Sequence, residues 1–412
     1  MEYYDALETR DPAEREREQF TELQRQIAHA QKNAPYFGRM LAGVDPAAVK
    51  DRAGLARLPV TRKSDLTELQ RAMPPFAGMA ALATGELSRI FVSPGPVFDP
   101  EGRRADYWRI ARAMHAAGFR RGEIVHNAFA YHFTPAGSMF DLGAQALGCA
   151  VVPAGTGQTE MQVQAIGAIR PQCYGGTPSF LRIILEKADE LKADVSSLKK
   201  ALVSAEALPA SLRQWLRERG LATLQCYASA DLGLIAYESP AMEGLIVDEG
   251  VIVEIVRPGT GEPVADGETG EVLVTSLAPE YPLIRFATGD LSAVLAGASP
   301  CGRTSMRIRG WLGRADQTTK VKGMFVKPSQ VADVAKRHPE IRKYRLVVDH
   351  DPKKTDRMTL NCEIESAGSD ALAEAIATSI RAVCNLRGEV AFKPVGSLPN
   401  DGKVIDDVRK YE

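Results

Sequence analysis

The sequence predicts an α/β protein with a large N-terminal domain of mostly parallel sheets, which includes a β-rich part, and a small mobile α+β domain at the C-terminus. Short apolar runs alternate with amphipathic stretches through the middle of the chain. The pattern becomes β-branched and turn-rich after about residue 233, and changes again near residue 314. At about 150 residues per domain, 412 residues allow two or three domains.

The N-terminal elements follow from hydrophobic periodicity. Residues 11–32 predict a charged, solvent-facing helix, because their apolar side chains are too sparse for a core element. Another helix is predicted over 105–119. The strand candidates that follow are 124–128, 149–153, 172–174, 201–204 and 223–227, and the helix-like stretches between them are 161–169, 179–191 and 210–219. This alternation is typical of βαβ units and a mostly parallel sheet.

The rest of the chain divides into two parts. Residues 233–300 predict β-hairpins, because the runs 244–256 and 270–275 flank the turn-rich string PGTGEPVADGETG. Strand candidates at 344–348 and 358–364 and a helix at 370–384 predict a separate α+β domain. We therefore expect an N-terminal domain over 1–313 and a C-terminal domain over 314–412.

Composition excludes several classes of partner. With 51 Lys and Arg against 52 Asp and Glu, the formal net charge of −1 gives no electrostatic reason to expect nucleic acid or an anionic membrane. The sequence contains no apolar run of about 18 residues, so no membrane span is predicted. The charged N-terminus does not resemble a signal peptide. The 6 cysteines form no C-x-x-C pair. We expect reduced thiols, no structural zinc site and a cytoplasmic protein, with a homodimer as an alternative to a monomer.

General catalytic motifs such as G-x-x-x-x-G-K-[ST], H-E-x-x-H and G-x-S-x-G are absent from the sequence. Eleven short strings between about residues 33 and 409 nevertheless occur in a recognisable order. They are NAPYFGRML, LPVTRKSDL, HNAFAYHFTPAG, LGCAVVPAGTGQTEMQVQ, GGTPSF, VSAEALP, CYASADLG, PLIRFATGDL, GWLGRAD, GMFVKP and LPNDGKVIDDVR. In this order they resemble the adenylate-forming ligases, and specifically the phenylacetate–coenzyme A ligase branch.

The resemblance implies ATP-dependent, AMP-forming activation of a small carboxylic acid, of aromatic or arylacetic type, and its transfer to coenzyme A. ATP/AMP, Mg²⁺ and coenzyme A are the implied cofactors. Two alternatives stay open. One is an enzyme of the same fold that passes the acyl group to an amine or a carrier thiol, or starts from a ready-made adenylate or thioester. The other is a degenerate ligand-binding member of the family.

The resemblance assigns the nucleoside half of the site to four residues. Asp290 accepts hydrogen bonds from both ribose hydroxyls, for which a carboxylate offers two suitable oxygens. Tyr227 stacks on adenine, and the backbone of Ala205 and Glu206 lines the purine. From the residues alone, Asp290 is equally well a turn aspartate and Tyr227 a core aromatic.

The reacting groups and the interdomain joint are assigned in the same way. Asp231 stands where the family has a glutamate that reaches Mg²⁺. Lys403 matches the lysine that bridges the carboxylate and the α-phosphate, where it offsets charge in the transition state. Arg314 is expected to contact the nucleotide, Asp316 to lie at the hinge and Gly323 to approach the pantetheine thiol. The open alternatives are a helix-start aspartate, a surface lysine and an exposed ion pair.

Two further segments complete the expected site. An acid pocket is predicted from Tyr131, His132, Phe133 and Gly137, with His132 a hydrogen-bonded structural histidine in preference to a catalyst. The phosphate loop corresponds to SPGPVFDP, residues 93–100, in which Ser93, Gly95 and Pro100 match the family. The other loop residues depart from it. Pro94 and Pro96 lack N–H donors, and Asp99 is expected to repel the β,γ-phosphates.

Overall fold

The computed structural model describes residues 2–93, 95–315, 317, 319–351, 355–365, 368–399 and 403–409. The chain divides into two compact units with the boundary after Leu312. The helices are α1 Pro12–Asn33, α2 Pro35–Met40, α3 Arg52–Ala56, α4 Leu66–Ala72, α5 Ile110–Ala116, α6 Ala136–Ala146, α7 Thr159–Ile169, α8 Pro178–Leu191, α9 Ala210–Glu218, α10 Pro328–Lys336 and α11 Asp370–Cys384. Short 3₁₀ turns lie at Ala6–Thr9, Pro46–Ala48, Lys63–Asp65 and Thr84–Glu86.

The strands belong to sheets of different sizes. They are β1 Thr61–Arg62, β2 Arg89–Ser93, β3 Val97–Glu101, β4 Ile124–Asn127, β5 Ala150–Pro153, β6 Cys173–Gly176, β7 Lys200–Val203, β8 Ala222–Ser229, β9 Gly233–Glu238, β10 Leu245–Val247, β11 Val251–Val256, β12 Gly270–Ser276, β13 Phe286–Ser292, β14 Arg307–Ile308, β15 Gly313–Arg314, β16 Thr319–Val321, β17 Met324–Val326, β18 Lys343–His350, β19 Asp356–Glu363, β20 Glu389–Lys393 and β21 Ile405–Asp407.

The largest sheet has eight strands in the order β14-β10-β9-β8-β7-β6-β4-β5. Strands β5, β4, β6, β7 and β8 run parallel, whereas β9 pairs antiparallel with β8. The alternating strands and helices of the sequence therefore form the expected parallel sheet, and the α/β class is confirmed. Strand β8 lies where the parallel part meets the antiparallel part, with Tyr227 near its carboxyl end.

A second sheet has the order β1-β13-β12-β11. Strand β13 carries the string FATGDL, and the residue before it, Arg285, is almost fully buried. The Arg285 guanidinium donates two 3.0 Å hydrogen bonds to the Glu254 carboxylate, one from Nε and one from Nη2. A buried charge needs such a partner, and this pair fixes the start of the strand that carries Asp290.

Two helices differ from the sequence predictions. Helix α1 is not merely a solvent-facing helix, because Phe20, Leu23 and Ile27 are each at most 2% exposed. Its apolar residues are few but fall on one stripe, which packs into the core. Helix α5 begins only at Ile110, five residues later than predicted. Its preceding residue, Arg109, has a left-handed φ of 64°.

The second compact unit has a four-stranded sheet in the order β20-β19-β18-β21. Apolar residues of α10 and α11, including Val331 and Ile376, pack with strand residues such as Leu346 in its own core. Strands β16 and β17 form a separate hairpin. Across both units, no described helix is long and apolar enough to cross a membrane.

Candidate active site

The residues assigned to the nucleoside meet at the end of β8 and on β13. The Tyr227 hydroxyl donates a 2.7 Å hydrogen bond to Asp290 Oδ2, and the Trp311 indole Nε1 donates at 3.1 Å to Asp290 Oδ1. The Tyr227 hydroxyl also lies 3.3 Å from Thr288 Oγ1. Asp290 and Tyr227 are half-buried, so the carboxylate and the ring are both accessible to a ligand.

The predicted purine-lining residues follow strand β7. Ala205 has a left-handed φ of 68° and is exposed. The preceding Ser204 donates a 2.9 Å hydrogen bond to the carbonyl oxygen of Cys226, which joins this turn to the residue before Tyr227. Glu206 is exposed and accepts a 3.4 Å hydrogen bond from the backbone N–H of Ser179. Ala205 and Tyr227 are thus held on neighbouring strand ends.

Asp231 lies in the turn between β8 and β9 and forms an ion pair that the sequence reading missed. Its side chain is fully buried, and its Oδ2 accepts a hydrogen bond from the Lys63 ammonium. Burial lowers the pKa of Lys63, but the neighbouring carboxyls, Asp231 foremost, outweigh this effect and the net shift is upward. Asp290 adds to it, so the ammonium lies within electrostatic range of both halves of the site.

The phosphate-loop prediction for Asp99 is wrong. Ser93 ends β2 and pairs with Val97, the first residue of β3, and the Asp99 side chain in β3 is fully buried. Strand alternation turns Asp99 inward instead of exposing it at the loop. Burial, reinforced by the charge of Asp231, raises the pKa of the Asp99 carboxyl well above its ordinary value.

Two of the loop residues that match the family, Ser93 and Gly95, have structural contacts in the hairpin. Ser93 is buried, and its hydroxyl donates a 3.3 Å hydrogen bond to the carbonyl oxygen of Val97. A Cβ on Gly95 would lie only 2.8 Å from Val97 Cγ2, so glycine permits the close turn. Pro94 lies outside the described residues.

Three of the predicted acid-pocket residues, Tyr131, His132 and Phe133, occupy the loop between β4 and α6, and Gly137 lies in the first turn of α6. The Asn127 side-chain amide donates to the Tyr131 hydroxyl at 2.7 Å and to the Gly137 carbonyl oxygen at 2.8 Å, which holds both ends of the loop. Burial raises the pKa of Tyr131, so its phenol stays neutral. A Cβ on Gly137 would lie 2.5 Å from the Ala130 carbonyl oxygen. This contact leaves no space for a larger residue at Gly137.

The centre of that loop is exposed. Phe133 is 75% exposed and has a φ of 58°, a conformation that costs free energy for a bulky residue. Its carbonyl oxygen accepts a 2.8 Å hydrogen bond from the Val92 N–H, which ties the loop to β2. His132 is exposed beside it and its backbone oxygen accepts from the N–H of Thr134 at 2.7 Å.

The remaining predicted residues lie in the second unit. Lys403 is about half exposed, and its Nζ lies 3.3 Å from Asp406 Oδ1. Gly323, with a φ of 82°, forms the tight turn of the β16–β17 hairpin together with Lys322. Arg314 is half-buried in β15. Asp316, the expected hinge residue, lies outside the described residues.

Metal-binding capacity in the described parts of the chain is small. No group of three or more His, Cys, Asp or Glu side chains there is arranged to hold a metal ion. Asp231 Oδ1 is buried and has no hydrogen-bond partner among these residues. One such carboxylate oxygen fits a magnesium ion that takes its other ligands from water and phosphate.

Comparison with known proteins identifies the family. The sequence profile described as "AMP-binding enzyme" matches residues 112–278. The chain is 30% identical over 415 residues to a phenylacetate–coenzyme A ligase of Thermus thermophilus, covering 95% of this chain and 92% of the relative. It is 32% identical over 350 residues to a phenylacetate–coenzyme A ligase of Escherichia coli, covering 80% and 78%. The chain belongs to the phenylacetate–coenzyme A ligase family.

A solved structure supports the same conclusion. A 2-hydroxyisobutyryl-CoA ligase, in complex with 2-HIB-AMP and CoA, superposes with a TM-score of 0.82 and 25% identity, covering 98% of this chain and 92% of the other. The predictions of the family, of the fold class and of an AMP-forming acid–thiol ligase that uses ATP and coenzyme A are confirmed. The individual site residues, magnesium and the acid stay predictions.

Proposed function

We propose that the protein activates a small aromatic or arylacetic carboxylic acid with ATP and transfers it to coenzyme A. A carboxylate oxygen first bonds to the α-phosphorus, and the bond from that phosphorus to the bridging oxygen breaks, releasing pyrophosphate. The coenzyme A sulfur then bonds to the acyl carbon as its thiol proton leaves, and the bond from that carbon to the AMP oxygen breaks. The 2.7 Å contact between Tyr227 and Asp290 carries the proposal, because it joins an aromatic face to a diol acceptor.

Each residue has a role in these steps. Asp290 accepts hydrogen bonds from the ribose hydroxyls, and Tyr227 stacks on adenine. The turn at Ala205 and Glu206 lines the purine edge. Asp231 would hold a magnesium ion through Oδ1, and such an ion would neutralise charge on the departing pyrophosphate. Lys63 holds the opposite oxygen of Asp231 and so orients the carboxylate.

The second unit supplies the groups that differ between the two steps. Lys403 is proposed to bridge the acid and the α-phosphate during adenylation, and Gly323 to pass close to the thiol during thioester formation. The two roles require two poses of a mobile C-terminal domain, turning at Asp316 and with Arg314 on the nucleotide. Residues 314–412 then act as that domain, and residues 1–313 as the adenylate-binding domain.

The choice of an aromatic acid rests on the loop between β4 and α6. Tyr131 and Phe133 bring two aromatic rings to it, and the neutral Tyr131 phenol adds no charge. His132 contributes a polar edge, and Gly137 keeps the backbone close. A planar aromatic acid is bound well by such walls, because ring stacking adds to burial of apolar area.

The test is a coupled assay with the full chain, ATP, Mg²⁺ and coenzyme A, comparing phenylacetate, benzoate and 2-hydroxyisobutyrate. We expect AMP and the acyl-CoA in equal amounts, with phenylacetate or benzoate preferred by at least tenfold in kcat/KM. Preference for 2-hydroxyisobutyrate would overturn the aromatic assignment. AMP release without acyl-CoA, but with acyl transfer to an added amine or carrier thiol, would support the alternative acceptor.

The environment of the protein is part of the same proposal. All six cysteines are buried and none forms a disulfide, as expected for a reducing cytoplasm. Cell fractionation tests that location. A homodimer stays an alternative to a monomer, and light scattering of the purified chain distinguishes them.

A further inference from the structure

Trp311 makes a contact that the proposed reaction does not use. Its indole Nε1 donates to Asp290 Oδ1, while the Tyr227 hydroxyl donates to Oδ2. Each oxygen of the proposed ribose acceptor therefore already holds one donor from an aromatic side chain. A ribose diol that reaches both oxygens meets the bulky indole at Oδ1.

The two aromatic donors are held very differently. Tyr227 is half-buried, and its hydroxyl also contacts Thr288 Oγ1, whose own proton goes to the carbonyl oxygen of Val272 at 3.0 Å. Trp311 is 40% exposed. Of the two side chains, the indole is the one more exposed to solvent.

The backbone around Trp311 is fixed independently of its side chain. Arg309 N–H donates to the Ala293 carbonyl oxygen and Leu312 N–H donates to that of Leu291, each at 2.9 Å. The Ser292 hydroxyl donates to the Gly310 carbonyl oxygen at 2.7 Å. These bonds hold the segment against β13, so rotation of the Trp311 side chain is enough to uncover Asp290.

We propose that Trp311 is a competitive cap on the ribose site: its indole N–H and a ribose hydroxyl compete for Asp290 Oδ1, so the indole leaves when the nucleotide binds. The inference rests on the proposed function, in which Asp290 binds the ribose. Trp311 then lowers nucleotide affinity and improves release of AMP. It is a positioning residue, because it acts on the substrate through Asp290.

The deciding variant is Trp311→Phe, which keeps an aromatic ring but removes the N–H donor. Calorimetry should show AMP binding about three- to tenfold more tightly than in the wild type, the equivalent of one hydrogen bond. The affinity for 2′,3′-dideoxy-AMP should be unchanged, because that ligand does not compete for Asp290. Trp215→Phe is the matched control. Trp215 lies in α9, its ring 3.9 Å from the Arg219 guanidinium carbon, and we expect its loss to change neither affinity.

Fluorescence gives a second readout. The chain has 3 tryptophans, and Trp108 is only 2% exposed. Acrylamide quenching should increase when AMP binds to the wild type and to Trp215→Phe, and stay constant in Trp311→Phe.

Three results would overturn the cap. If Trp311→Phe binds AMP equally or more weakly than the wild type does, the indole does not compete and instead forms a wall for the ligand. A gain in affinity for both AMP and the dideoxy ligand would show an effect unrelated to the diol. If the wild type binds neither ligand, the role of Asp290 fails and the cap fails with it. The first two results leave the proposed function intact.

Discussion

The ribose side and the phosphate side of the candidate site use charge in opposite ways. On the ribose side, the half-buried Asp290 is held by two neutral donors, Tyr227 and Trp311. On the phosphate side, the carboxyls of Asp99 and Asp231 are both buried, and the Lys63 ammonium lies against Asp231. The ribose side therefore presents a carboxylate to a ligand. On the phosphate side, the Lys63 ammonium compensates the charge of Asp231 within the protein.

This difference between the two sides indicates which part of the site can bind an anion. The Tyr227 and Trp311 donors carry no charge of their own, and a carboxylate that accepts from neutral donors suits hydroxyl groups. The phosphate side needs cations, and the Asp99 carboxyl of the β2–β3 hairpin supplies no positive charge. Lys63, which is 29% exposed, brings a positive charge to this side from a different part of the chain.

The largest effect is expected from Lys403→Ala. This variant tests the proposed contact of Lys403 with the α-phosphate, which lies between the ribose and the β,γ-phosphates. We expect acyl-adenylate formation to fall by about 10²–10³-fold, because the variant loses the cation that we propose stabilises the transition state. Thioester formation from supplied acyl-adenylate should change less than threefold. Pyrophosphate exchange and single-turnover assays measure the two steps. Lys336→Ala, an exposed lysine of the same unit, is the control, and equal loss of both steps in Lys403→Ala would contradict the assignment.

The next effect tests the ribose side directly. Asp290→Ala should weaken AMP binding by about 10–100-fold, since a charge-assisted hydrogen bond contributes roughly 1.5–3 kcal/mol. Asp290→Asn, which retains one acceptor oxygen, should lose less. Calorimetry with AMP measures both. Asp266→Ala in an exposed loop is the matched control, and an unchanged AMP affinity in Asp290→Ala would exclude Asp290 from the ribose site.

The sequence was most informative where the function requires particular residues in short strings. Tyr227 and Asp290 come from separate strings, CYASADLG and PLIRFATGDL, and the structure brings them within 2.7 Å. The βαβ period likewise predicted the parallel sheet, because buried parallel strands read as short apolar runs. Neither inference needed knowledge of a side-chain direction.

What failed depended on side-chain direction and on distant pairing. Asp99 was expected to repel the β,γ-phosphates, but its side chain is turned inward in the hairpin and is fully buried. Lys63 lies 168 residues before Asp231, and no local sequence pattern indicates that the two form an ion pair. The one signal available was its place in LPVTRKSDL. Helix α1 was misjudged because a count of apolar residues ignores that Phe20, Leu23 and Ile27 share one face.

A smaller effect is expected from Lys63→Ala, a variant that distinguishes the phosphate side from the ribose side. Lys63→Ala should weaken ATP binding by about tenfold, while AMP binding changes less than twofold, because the lost charge lies on the phosphate side. Calorimetry with both nucleotides measures the ratio. Lys50→Ala, an exposed lysine, is the control. Equal weakening of ATP and AMP would mean that Lys63 acts on the whole site, and the division into two sides would not hold.

The smallest effect concerns the buried carboxyl of Asp99 and its dependence on pH. Because burial raises its pKa in the folded protein, the folded state holds a proton that the unfolded chain releases above about pH 4. The free energy of unfolding therefore falls as pH rises through this range towards the raised pKa. Asp99→Asn removes that titration, so between pH 5 and pH 8 the free energy of unfolding should fall more in the wild type than in the variant. Urea unfolding at four pH values measures this, with Asp266→Asn as the exposed control. If the curves of wild type and Asp99→Asn run parallel, Asp99 is ionised in the fold, and Lys63 compensates both carboxylates instead of Asp231 alone.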